Sequence, residues 1–134
     1  MIDRALVFLL FAVALAGCGR DGSAATLDEP IQLAPGEAAL FAAEKLEVTF
    51  VRVSSDSRCP TDVSCFWAGE ILVRLAVRGN GIQAERDLKE FQKIALDGYI
   101  VDLLEVLPAR GPQSQRIAAS DYRVTLKVTR SNSQ

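Results

Sequence analysis

The chain predicts an all-β fold, an antiparallel β-sandwich or barrel of six to eight short strands. Three observations support this. Apolar and polar residues alternate with period two over several stretches, Gly, Pro and Asn turn signals separate those stretches, and no strong helical period follows the apolar N-terminal segment.

Taken in order, Ile31 to Leu33 and Ala38 to Ala42 are short strand candidates joined by a Pro35-Gly36 turn, although Ala38 to Lys45 suits a short helix equally well. Leu46, Val48 and Phe50 alternate with Glu47 and Thr49. Val51 and Val53 then continue the apolar set in the opposite phase, which predicts a bulge. Ile71, Val73, Leu75 and Val77 form a long strand that ends at Gly79-Asn80-Gly81, a hairpin signal, and Ile82 to Leu88 run back from it. Tyr99 to Leu107 is apolar on both faces in part and stops at Pro108, as a central strand would. Tyr122, Val124, Leu126 and Val128 alternate strictly with Arg123, Thr125, Lys127 and Thr129, giving a last strand with one buried and one wet face.

The N-terminal segment has a different character. Ala5 to Ala16 is an unbroken apolar run of 12 residues, the length of a signal-peptide core and short of the roughly 20 that cross a bilayer as a helix. It ends in Leu15-Ala16-Gly17-Cys18. This run resembles the cleavage motif of the bacterial lipoprotein family. The resemblance implies that lipid is attached to the Cys18 thiol, that the chain is cut before Cys18, and that the new amine is acylated. Gly19 stands where an Asp would favour inner-membrane retention, so the resemblance also implies an outer-membrane location facing the periplasm. A plain secretory signal and a buried N-terminal helix are the alternatives, but Gly19 to Ser23 continue no helical pattern. Several acyl chains on one residue hold a protein stably at a membrane where one chain does not.

The resulting layout is a signal peptide at 1–17, a lipidated flexible tether at 18–29 and a single β-domain at 30–134. The tether's Gly, Ser, Ala and charged residues give it a reach of roughly 15–20 Å. Removal of 1–17 leaves 117 of the 134 residues, enough for one modest core. With Cys18 committed to lipid, Cys59 and Cys65 form an even set in an oxidising envelope, and a disulfide between them is expected.

One constellation is unusually dense. Asp56-Ser57-Arg58-Cys59-Pro60 leads through Cys65-Phe66-Trp67-Ala68-Gly69 and contains both remaining cysteines and the single Trp. It resembles a D-S-R-C-P-x4-C-x-W-A-G motif of small bacterial secreted and lipoprotein domains, a resemblance that covers about 20 residues and implies no activity. Val73 and Leu75 extend the match, and Tyr122 to Leu126 echo a closing Tyr-Arg-Val-Thr-Leu strand. The bland expectation is a stapled corner, with Trp67 packed over the bridge and Arg58 paired with Asp56 or Asp62. The functional alternative is a rigid exposed loop that docks into an envelope protein partner through Arg58, Phe66 and Trp67.

Composition narrows the remaining classes. The chain has no histidine, which removes Ser-His and Cys-His catalysis and imidazole metal ligation. Carboxylate pairs such as Glu85 with Asp87, or Asp102 with Glu105, read as solvated strand faces, and an enzyme would require two of them to converge in a cleft. A calcium site from Asp56, Asp62 and Glu70 lacks EF-hand spacing, and the C-x5-C spacing does not suit a redox dithiol. Fifteen basic and 17 acidic residues are dispersed along the chain with a net charge of −2, which argues against nucleic acid. The expectation is therefore a non-catalytic binding or accessory domain without metal or cofactor. A purely structural lipoprotein is the alternative, which exposure of Trp67 separates from it, and a carboxylate-dependent enzyme is the third reading.

Overall fold

In the computed structural model, which describes residues 22–132, alternation becomes two packed sheets. The strands are β1 (Gly22–Ala24), β2 (Ile31–Leu33), β3 (Ala38–Phe41), β4 (Leu46–Asp56), β5 (Ile71–Gly79), β6 (Ile82–Lys89), β7 (Lys93–Leu96), β8 (Tyr99–Leu107) and β9 (Arg123–Arg130), with one 3-10 turn at Ala119–Asp121. One sheet has the order β1-β3-β4-β5-β6 and the other β2-β9-β8-β7. Every pairing is antiparallel except β1 with β3. The fold is thus an all-β sandwich, with nine strands rather than six to eight. Among the described residues no helix is long and apolar enough to cross a membrane.

Period-two patterning places the core between the sheets. Phe41, Val48, Phe50, Val73 and Leu75 from one sheet meet Val101, Leu103, Val124 and Leu126 from the other, each no more than 1% exposed. Bulges in β4 and β8 keep this face continuous. The register of β4 on β5 slips between Phe50 and Arg52, which turns Val51 outward and lets both Phe50 and Val53 reach the core. On β8 the slip between Leu103 and Glu105 does the same for Leu103 and Val106, and it explains why that strand looks apolar on both faces in sequence.

Turn chemistry fixes the register. Asn80 and Gly81 have φ of 51° and 78°, both in the left-handed region, so they form the tight turn whose twist matches that of the β5–β6 hairpin. Ala38 to Phe41 are a strand, because Ala39 and Phe41 are needed on the core face opposite Val48 and Leu46.

The domain begins earlier than residue 30. Gly22 to Ala24 pair in parallel with Ala38 to Leu40, and Ala25 and Leu27 pack against the core. Ser23 Oγ donates to Glu37 Oε1 at 2.5 Å and the Ala34 amide donates to Glu37 Oε2 at 3.0 Å. The bond from Ser23 helps hold the Glu37 carboxyl below its ordinary pKa. The part of the expected tether from residue 22 to 29 is therefore folded. Backbone pairing and one carboxylate recruit it, neither of which leaves an apolar period. Cys18, the expected cleavage motif and the rest of the tether lie outside the described residues.

Phe50→Ala, at a site with no exposed surface, is expected to cost about 3–5 kcal/mol of stability, read as a lower midpoint in urea unfolding.

Candidate functional site

The dense constellation forms the connection between β4 and β5 at one pole of the sandwich. Beyond the last strand pair, Asp56 with Ile71, the ladder continues into the loop. The Ser57 amide donates to the Glu70 carbonyl at 2.8 Å and the Cys59 amide to the Ala68 carbonyl at 3.0 Å. The two strands of the loop approach so closely that a Cβ at Gly69, where φ is +70°, would sit 1.8 Å from the Ser57 carbonyl oxygen. Only glycine fits there. Cys59 and Cys65 are disulfide-bonded, with Cα atoms 5.9 Å apart and a sequence separation of 6, as expected from the cysteine count.

The base of the loop is tied to both sheets. Asp56 receives two hydrogen bonds from the Arg58 guanidinium, Nε to Oδ1 and Nη2 to Oδ2, both 2.8 Å. The Tyr122 hydroxyl donates to Asp56 Oδ2 at 2.9 Å, and Arg58 Nη2 also donates to the Pro108 carbonyl at 3.2 Å. Burial pushes the Asp56 carboxyl up, but the bonds from Arg58 and Tyr122 outweigh it and hold the pKa below the ordinary value. Burial and the same carboxylate raise the Tyr122 hydroxyl. Farther out, the Thr61 amide donates to the Gly111 carbonyl at 3.0 Å and the Gln113 amide to Asp62 Oδ1 at 2.7 Å. The loop therefore leans on the β8–β9 connection.

Two expectations need correction here. Arg58 pairs with Asp56 as anticipated, but its side chain is only 14% exposed, so it braces the loop from inside and presents no charge to a partner. Trp67 does not pack over the bridge. It is 81% exposed and Phe66 is 99% exposed. The loop backbone is consumed by the ladder, Gly69 and the bonds to residues 111–113, and this geometry turns both rings to solvent.

A further aromatic residue joins them. Phe91, in the β6–β7 corner, is 75% exposed and borders a shallow pocket of about 310 Å³ together with Arg58, Gly69, Glu70 and Lys89. Its amide donates to the Leu103 carbonyl at 2.8 Å, while Glu90 Oε1 accepts from the Val106 amide at 2.9 Å. The corner is thus fixed while the ring points out. In sequence, the only hint of Phe91 is an aromatic residue between Lys89-Glu90 and Gln92-Lys93.

The other candidate groups do not converge. Glu85 and Asp87 flank Arg74 on an outer sheet face at 3.5 and 2.9 Å. Hydrogen bonds from Arg74 and then Ser54 lower Asp87 to about 2. Asp102 faces the Lys93 ammonium at 3.5 Å, and Glu105 is exposed. Asp56, Asp62 and Glu70 are engaged separately, the last by Lys89 at 2.7 Å. Among the described residues no group of three or more acidic or cysteine side chains is arranged to hold a metal ion.

No family model, curated protein or solved structure matches this chain.

Replacing Cys59 and Cys65 together with Ser is expected to lower stability by about 2 kcal/mol on the chain-entropy account, seen as a melting temperature several degrees lower with the fold retained. Asp56→Asn is expected to cost about 1–3 kcal/mol at neutral pH. The Asp56 pKa is lower folded than unfolded, so its contribution is complete above the ordinary carboxylate value of about 3.9 and is lost as pH falls below it. The variant's stability, followed by denaturant melts at stepwise lower pH, should accordingly fall less steeply in acid than the parent's.

Proposed function

We propose that the protein is a non-catalytic binding domain of the bacterial cell envelope, anchored through lipid on Cys18 at the periplasmic face of the outer membrane. Its contact surface is the pole that carries Phe66 and Trp67. The observation that carries this reading is the exposure of those two rings, 99% and 81%, on a loop closed by a disulfide. Water-exposed aromatic side chains this large leave apolar area uncovered, and apolar area gathered in one place marks an interaction surface. A loop already braced by Asp56, Arg58 and the Cys59–Cys65 bridge loses little conformational freedom when it docks. A corner that served only as a staple would bury its indole and satisfy the indole N–H internally.

The anchor half of the proposal rests on the Leu15 to Cys18 motif, and the binding half on the exposed pole, so one experiment addresses each. Mass spectrometry of native protein is expected to find an acylated N-terminal Cys18. A photo-reactive side chain placed at position 66 in intact cells is expected to give a discrete adduct, while the same group at Gln83, exposed at the opposite pole, gives none. An unmodified terminus removes the anchor. Equal labelling from both positions, or none from position 66, removes the binding surface.

A further inference from the structure

We infer that the aromatic pole is a second membrane contact, with Phe66, Trp67 and Phe91 seated in the interfacial layer of the same leaflet that holds the Cys18 lipid. This rests on the lipid-anchored reading above and specifies what the binding surface takes, a bilayer interface instead of a protein.

The distribution of apolar surface is the first support. The large hydrophobic side chains that are exposed among the described residues are Val63, Phe66, Trp67 and Phe91. All four lie on the β4–β5 and β6–β7 connections. Both connections are at the same pole, because Lys89 at the end of β6 pairs with Leu72 beside the end of β4. Phe91 is held there at a φ of +67°, a left-handed conformation that a bulky side chain disfavours. The fold thus holds an aromatic ring in water at a backbone cost.

The second support is the direction from which the chain enters. β1 runs parallel to β3 and β3 antiparallel to β4, with Gly22 opposite Ala38 and Ala38 opposite Thr49. The N-terminal end of β1 therefore faces the end of the sheet where β4 finishes, which is the aromatic pole. The described chain thus enters the sheet from the direction of that pole.

Lengths then decide how close the pole must come. Thr49 is level with Ala76, and the strand ends at Ile71 opposite Asp56. Along unbulged β5 this is five residues, or about 17 Å at ~3.3 Å per residue. Cys18 precedes Gly22 by four residues, which span at most about 14 Å. A bilayer that faces this pole and holds Cys18 at its surface thus lies no farther out than the strand ends. Loops that project beyond those ends must enter the headgroup layer.

The chemistry suits that layer. Trp favours the boundary between water and acyl chains, where its apolar ring and polar N–H are both accommodated, and a Phe ring beside it adds apolar area that sinks into the same layer. Lys89 and Lys93 flank Phe91 with side chains 58% and 67% exposed, paired to Glu70 and Asp102. Their long apolar stems allow the ammonium groups to stay in water while the ring sits deeper.

Trp67 is the single tryptophan, so intrinsic fluorescence reports on this pole alone. The test uses full-length lipidated protein reconstituted into vesicles of equal parts phosphatidylethanolamine and phosphatidylglycerol, with soluble Cys18→Ser protein as the aqueous reference. Co-sedimentation with vesicles is expected. Trp67 emission should be blue-shifted from the reference, and most of it should be lost when the vesicle lipids are brominated near the headgroup end of their acyl chains. Phe66→Ser combined with Phe91→Ser should leave co-sedimentation intact and reduce that quenching. If the lipidated protein co-sediments but Trp67 emits and is quenched by acrylamide like the reference, the anchor stands and the second contact is wrong, with the domain lying on another side. A position-66 adduct that contains protein and no lipid overturns the bilayer contact while preserving the binding surface. Protein that stays in the supernatant overturns both readings.

Discussion

Asp56 is the side chain on which the aromatic pole depends. It ends β4, the longest strand, and its carboxylate receives a forked guanidinium from the loop that follows and a phenol from Tyr122, the residue before β9 of the opposite sheet. A single half-buried anion thereby connects the two layers and the excursion between β4 and β5. Removing it would take from the Arg58 charge, itself largely out of water, its forked partner and leave it the Pro108 carbonyl and the more distant Glu90. The disulfide works farther out, where it narrows the conformations open to residues 59–65. The loop is thus held at its root by charge and at its tip by a covalent bond. The rings at positions 66 and 67 are left free of any internal task.

The same division of labour explains why the pole tolerates so much uncovered apolar surface. The core is complete without those rings, because Phe41, Phe50, Leu75, Leu103 and Leu126 close the gap between the sheets. None of the buried side-chain polar atoms among the described residues is without a partner. Stability therefore makes no demand on Phe66, Trp67 or Phe91. Their apolar surface is left available to something outside the domain, which under the anchored reading proposed above is a lipid surface.

Much of this was legible in the residues. Strict alternation at 122–128 and 71–77 gave two central strands, Asn80-Gly81 gave their neighbour's hairpin, and the phase change after Phe50 gave a bulge, because each pattern has one dominant physical cause. Asp56 and Arg58 are two apart in extended chain and so share a side, which made their pairing foreseeable. What was not legible has a cause as well. β1 is Gly-Ser-Ala and is recruited by backbone bonds and Glu37, so it carries no apolar period. β7 is a four-residue edge strand, too short for one. The direction of the indole at 67 depends on the positive φ at Gly69 and on the bonds that tie Thr61 to Gly111 and Asp62 to Gln113 in the neighbouring connection, which are tertiary facts. Tyr122 as the third member of the Asp56 cluster lies 66 positions away.

The placement of β9 has a consequence for how the chain acquires its shape. β9 lies inside its sheet, bonded on one side to β2 and on the other to β8, yet it follows every other strand described. The second layer therefore cannot assemble progressively as the polypeptide emerges, and β2 must wait across almost the whole length of the domain for its partner. Such long-range closure slows folding. It also means that a nascent chain that lacks residues 123–130 exposes two unpaired strand edges at once, the arrangement most prone to pairing with a neighbour. A chain of this kind is well suited to being held unfolded until its synthesis is complete.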